Sequence, residues 1–154
     1  MKRLLPILQF VVISFVVGYL SRVLQGTSME AWYPGLVKSS LTPPGYIFSL
    51  VWGVLYLLMG ISAGIVWSAR TVYSWVLTVL FAVQLLLNLA WSFAFFWMRS
   101  PVAGIVVLAL LLACVAFDVI GCYKQSRVAA YLNIPYLMWL VFALYLNSYI
   151  VMSN

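Results

Sequence analysis

VAGIVVLALLLACVAFDVIGCY, running from Val102 to Tyr123, carries a single charge, Asp118, along its whole length. At 1.5 Å per residue, roughly twenty such residues coiled as a helix cover a hydrocarbon core of about 30 Å. A strand crossing an outer membrane would instead alternate apolar and polar side chains over about ten residues. Val106 to Val115 shows no alternation, so the stretch reads as a transmembrane helix.

Four further runs of the same kind lie on either side: Leu4 to Leu24, Tyr46 to Trp67, Ser74 to Trp97 and Val128 to Val151. The chain of 154 residues is 67% hydrophobic and only 6% charged, too little charge to cover a water-soluble surface. Lys2 and Arg3 ahead of the first run raise the question of a signal peptide, but no convincing small-residue cleavage site follows Gly18 and Ser21. The first run is therefore kept as a span. Gln25 to Gly45 is the one long connection; those near Ser68 to Tyr73, Met98 to Pro101 and Lys124 to Arg127 are short and join antiparallel neighbours. The expected fold is an all-α membrane protein, a five-helix up-and-down bundle forming one domain over residues 1–154 with a lid loop at 25–45. Pro43 and Pro44 suit the first turn of the second helix, and Pro101 and Pro135 punctuate the fourth and fifth near their starts.

The net charge of +6 does not mark a nucleic-acid partner, because the basic residues are scattered at helix ends rather than gathered on one face. They are topology signals. Lys2, Arg3, Arg70, Lys124 and Arg127 fall on the N-terminal side, against Arg22, Lys38 and Arg99 with Glu30 on the other. The positive-inside rule then favours a cytoplasmic N-terminus. The chain has no histidine and only Glu30 and Asp118 as carboxylates, which leaves no material for a zinc site or a catalytic triad. Cys114 and Cys122, about 12 Å apart along one helix, are too distant to pair. Asp118 near the end of the fourth helix is expected to be neutralised by Lys124 or Arg127.

Trp32, Trp67, Trp75 and Trp97 fit an interfacial belt. Measured from the face bearing the long loop, Trp52 lies about 10 Å down, Trp91 about 9 Å, Asn88 about 14 Å, Ala143 about 12 Å and Trp139 about 18 Å. Gln84, Asn88, Trp91 and Phe95 share one face of the third helix, and Trp139, Ala143 and Asn147 one face of the fifth. Amides facing hydrocarbon unpartnered are costly, so both faces should turn inward. There they serve either as interhelical glue or, with three tryptophans beside them, as the wall of a ligand pocket. Gly60 and Gly64 form a GxxxG, and Ser74, Thr78 and Ala82 a small-residue stripe; within one chain of five helices such stripes seat neighbouring helices, with a dimer interface as the alternative.

Trp32, Tyr33, Leu36 and Lys38 in WY-x-x-L-x-K, Thr42 to Pro44 in TPP, Trp52 in VWGVLY, Asn88 and Trp91 in N-x-x-W, and PY-x-x-W-x-x-FA-x-x-LN from Pro135 to Asn147 together resemble the TspO/MBR family. The match runs in order over nearly the whole chain. The resemblance implies a five-helix bundle, commonly dimeric, that binds porphyrins, sterols and benzodiazepine-type or isoquinoline carboxamide drugs beneath the first loop. By motif position Trp52, Asn88, Trp91, Trp139 and Ala143 would line the pocket, with Asn147 on the same face of the fifth helix and Tyr33 and Pro43 in the lid. It also implies, for bacterial relatives, light-dependent degradation of protoporphyrin, with Trp52 and Trp139 as the residues carrying the chemistry. Two departures stand out: Lys38 is followed by Ser39 where the family has proline, and nothing basic follows Tyr145 or Tyr149, which a sterol-recognition pattern requires.

Three functions are compatible with these residues: a receptor or translocator for tetrapyrroles and similar apolar molecules, a photo-oxidative porphyrin-degrading enzyme, and a structural bundle. A flat macrocycle stacks on indole faces, and its carboxylates need a cation near the mouth, for which Lys38 is the expected partner. Without histidine to ligate iron, protoporphyrin IX is expected in preference to haem, as ligand or substrate and not as a required cofactor. The expected partners are membrane lipid, a porphyrin or other apolar small molecule and a second copy of the chain, in a bacterial cell membrane.

Overall fold

The computed structural model describes residues 4–154, so the topology signals Lys2 and Arg3 lie outside the described residues. Five helices are long and apolar enough to cross a membrane, and no strand is present among the described residues, which makes this an all-α membrane protein. They are α1 (Leu4–Gln25), α3 (Gly45–Ser68), α4 (Val72–Ser92, continued by a π-helical turn at Phe93–Trp97), α5 (Pro101–Gln125) and α6 (Arg127–Ser153). The long connection holds a single-turn helix α2 (Ser28–Ala31) and a 3-10 turn at Tyr33–Gly35.

Local chemistry sets the helix starts. Thr71 caps α4 through a reciprocal pair with Ser74, Ser100 caps α5 with Pro101 in its first turn, and Ser126 caps α6 by accepting from the Ala129 N–H. Pro44 differs from expectation. It lies just outside α3 as its cap, where its carbonyl accepts from Ile47 and Phe48, because its ψ of 150° is extended rather than helical. Pro135 sits well inside α6 rather than near its start.

The helices close into a ring in the order α1, α3, α6, α5, α4, with α1 returning to α4. Gly60 and Gly64 are the seat for α1: a Cβ added at Gly64 would stand 2.4 Å from the Ile7 Cα, and one at Gly60 would stand 2.5 Å from the Val11 Cα. The GxxxG therefore serves packing within this chain. The core runs through the middle of the ring, from Met59 and Phe81 to Leu111, Val115, Tyr136 and Leu140. Outward positions such as Leu8, Val12, Leu50, Leu86, Leu110, Phe117 and Met138 are exposed apolar side chains, as a lipid-facing surface requires.

Candidate functional site

A cavity of about 440 Å³ opens between α1, α3 and α4. That volume lies within the range of small-molecule sites. Trp52 and Trp91 form one wall, stacked with centroids 6.5 Å apart and planes 23° from parallel. Tyr56 lies 5.6 Å from Trp52, and Trp91 continues the stack onto Phe95 at 5.4 Å. Gly18, Ser21 and Arg22 of α1 form the opposite wall, and Asn88 the deep end.

The polar groups here are few and half-committed. Asn88 donates its Nδ2 to the Gln84 carbonyl at 3.0 Å and to the Tyr136 hydroxyl at 2.7 Å, which leaves its Oδ1 buried without a partner. The Ser21 hydroxyl is likewise buried, beside Tyr56 but without a well-formed hydrogen bond. Two unpaired groups bordering an apolar chamber are acceptors and donors to which a ligand can bond. Arg22 stands at the same wall, its guanidinium bonded only to Gln25 Oε1 at 3.3 Å among the described contacts, and exposed.

A second cavity of about 70 Å³ lies under the long loop, lined by Tyr33, Pro43, Phe95, Ala143 and Asn147 and sharing Phe48 and Trp91 with the first. Asn147 fixes its inner side: Nδ2 donates to the Pro101 carbonyl at 2.7 Å, and Oδ1 accepts from Trp91 Nε1 at 3.4 Å. The loop is seated on the bundle. Trp32 and Tyr33 pack edge-on against Phe95, at 5.6 and 6.2 Å, and Ser39 Oγ meets the Tyr145 hydroxyl at 3.0 Å. Val37 exchanges both backbone groups with the Asn154 side chain, at 2.9 and 3.1 Å. Burial raises the Tyr33 phenol above its ordinary pKa of 10.0, so it stays un-ionised in the loop seat.

Seven of the nine residues expected at a pocket thus border one of two adjoining chambers: Trp52 and Asn88 the larger, Tyr33, Pro43, Ala143 and Asn147 the smaller, and Trp91 both. The other two do not. Lys38 folds back on its own loop, donating to the carbonyls of Tyr33, Pro34 and Leu36 at 2.9, 3.2 and 3.2 Å with its ammonium 4.7 Å above the Tyr33 ring. All three ammonium donors are thereby engaged. Trp139 packs behind Phe48 at 5.5 Å and against Phe142, with its Nε1 buried and unpartnered.

The contribution of α1 was not anticipated. Its signal lies in the spacing of Ser14, Gly18, Ser21 and Gln25, the polar and small positions of an otherwise oily helix, which share one face. Asp118 also departs from expectation. Its carboxylate accepts from Asn133 and Cys122, while Lys124 is exposed and Arg127 lies 5.4 Å over the Tyr123 ring. Asp118 is on the inward face of α5, whereas those two cations leave the helix ends toward solvent.

Residues 10–152 match the TspO/MBR family. The tryptophan-rich protein TspO of Chlorobaculum tepidum is 36% identical over 99% of this chain and 98% of its own length. That of Archaeoglobus fulgidus is 32% identical over 99% of both chains. The translocator protein of Homo sapiens is 36% identical over 87% of this chain and 80% of its own. With that agreement spanning all five membrane helices and every wall of both chambers, the chain belongs to the TspO/MBR family.

Proposed function

We propose that this membrane protein binds flat, apolar, carboxylate-bearing molecules of the porphyrin class in the chamber between α1, α3 and α4, as a receptor or translocator. The observation that carries the reading is the stacked pair Trp52 and Trp91 in the wall of a 440 Å³ cavity whose mouth holds Arg22. Indole faces supply area for a macrocycle, Ser21 and Asn88 supply unpaired polar atoms, and Arg22 supplies a planar cation for a carboxylate. Lys38 acts on the ligand indirectly, by holding the loop in shape. Titrating the purified protein with protoporphyrin IX tests this: saturable tryptophan quenching with a Soret shift supports it, and neither change at any concentration refutes it.

A second reading, light- and oxygen-dependent porphyrin degradation, draws on the position of Trp52. Its ring lies within 6.5 Å of Tyr56, Trp91 and Tyr136, a cluster of oxidisable aromatics at one chamber. Bleaching of bound protoporphyrin under illumination in air, faster than free pigment and slowed in Trp52→Phe, is its test. A homodimer in a bacterial cell membrane with a cytoplasmic N-terminus belongs to the same proposal. Its contact surface lies elsewhere than Gly60 and Gly64, which α1 fills.

A further inference from the structure

A separate small chamber of about 10 Å³ lies at the other end of the bundle, where Ser62 of α3, Gln84 of α4, Asp118 and Cys122 of α5 and Asn133 of α6 form its polar side and apolar residues such as Met59, Leu77 and Phe81 the rest. Asp118 is only 5% exposed, and its carboxylate sits roughly 10 Å inside the end of α5. A charge at that depth needs a counter-charge, and its hydrogen-bond partners in the described residues are neutral. We propose that this chamber binds one dehydrated monovalent cation of the size of Na⁺, with Asp118 as the charged ligand.

The hydrogen bonds fix the orientation of the groups around the gap. The Ser62 hydroxyl donates to the Ala129 carbonyl at 3.0 Å, so it meets Asn133 as an acceptor through one lone pair and keeps a second for the gap. Asn133 therefore turns its Nδ2 toward Ser62, at 3.0 Å, and the same nitrogen donates to Asp118 Oδ2 at 3.0 Å. Its Oδ1, in a residue 3% exposed, is left at the cavity with no donor. Cys122 Sγ donates to the other carboxylate oxygen at 3.7 Å.

A proton on Asp118 does not satisfy this set. A proton would remove the charge, but it would give Asn133 Oδ1 no donor. A cation balances the charge and takes up Asn133 Oδ1 together. Gln84, 1% exposed, lies with its amide beside Asp118 but makes no well-formed hydrogen bond through Nε2, and a half-turn of the amide offers its oxygen to the gap. The ligands are then a carboxylate, two amide oxygens and a hydroxyl, a hard oxygen set. One carboxylate suits a single charge, and a gap of this size has no room for the waters that Mg²⁺ retains.

The test uses the full chain in detergent. Equilibrium binding of ²²Na⁺ is measured alongside thermal unfolding in NaCl and in N-methylglucamine chloride at equal ionic strength. Saturable binding near one ion per chain is expected, with a melting temperature that rises by several degrees in Na⁺ alone. Asp118→Asn should lose both the binding and the difference between salts, whereas Cys114→Ala, on the same helix but outside the chamber, should keep both. Should Asp118→Asn fail to fold, the isotope measurement on the parent decides alone. Absence of saturable binding, with identical melting in the two salts, overturns the proposal in favour of a protonated Asp118 beside a water. Na⁺ binding that persists undiminished in a folded Asp118→Asn overturns it too.

Discussion

Gly53, Gly60 and Gly64 lie on one helix, yet the same substitution to alanine should act on them with opposite sign. At Gly53 an added Cβ meets nothing within 4 Å. Only the helix-propensity gain remains, about 0.5–1 kcal/mol of added stability. At Gly64 the new Cβ would lie 2.4 Å from Ile7 Cα and 2.8 Å from Ile7 N, and at Gly60 2.5 Å from Val11 Cα. Ordinary carbon contacts start near 3.5 Å, so α1 must retreat by roughly 1 Å, and backbone cannot yield as a flexible side-chain tip does. Overpacking of this kind costs about 1–3 kcal/mol, which exceeds the propensity gain, so Gly64→Ala should be net destabilising and separated from Gly53→Ala by about 1–3 kcal/mol. Thermal unfolding in one detergent, followed by tryptophan fluorescence, reads the order directly. Because α1 also supplies Gly18, Ser21 and Arg22 to the large chamber, Gly64→Ala should weaken protoporphyrin binding from a distance. Equal melting temperatures for Gly53→Ala and Gly64→Ala would show that the α1–α3 contact is not the close backbone approach described here.

Arg22→Gln should weaken protoporphyrin by up to about fivefold, since an exposed ion pair is worth under about 1 kcal/mol, and should spare an uncharged aromatic ligand; equal losses for both would remove the carboxylate contact. Lys38→Met should instead alter both ligands alike, or protease sensitivity of the loop without either, because its ammonium is spent on loop carbonyls. Asn147→Leu strands the Pro101 carbonyl and the Trp91 N–H, a cost of about 1–3 kcal/mol in thermal unfolding, where an unchanged melting temperature would contradict the bonding described. Tyr33 has a folded-state pKa above its unfolded 10.0, so its share of the loop's stability is complete below pH 10 and is lost as pH rises through the higher value. Limited proteolysis of the loop should therefore accelerate above pH 10 in the parent and less so in Tyr33→Phe.

The spans were legible because each is a long uncharged run, a signal that tertiary context does not override: lipid leaves a backbone of that length no option but a helix. The depth of Trp52, Asn88 and Trp91 was legible for a related reason, since antiparallel helices of fixed rise put residues at countable heights. What height cannot give is direction around the bundle. Trp139 counts as deep and aromatic, but its azimuth on α6 puts Phe48 between it and the large chamber. The ring order that places α1 beside α4 depends on the close approach at Gly60 and Gly64, and GxxxG alone does not name the helix it will receive. Lys38 differs from expectation in another way. A lone lysine in a loop over a pocket reads as a ligand partner, but three carbonyls within reach of a flexible side chain compete for it, and turn geometry of that kind leaves no trace in spacing.

The π-helical turn at Phe93–Trp97 has a bearing on how this scaffold can be redesigned. Its widened turn, closed by the Met98 N–H on the Phe93 carbonyl at 2.9 Å, lets two consecutive residues, Phe95 and Phe96, both lie 2% exposed. Tyr33 rests on both rings and Trp32 on the first. An engineer who idealised α4 into an unbroken α-helix, the usual route to a hardier protein, would rotate one of those rings toward lipid. The thermostable variant would gain a better helix and lose the shelf on which its first loop is set down.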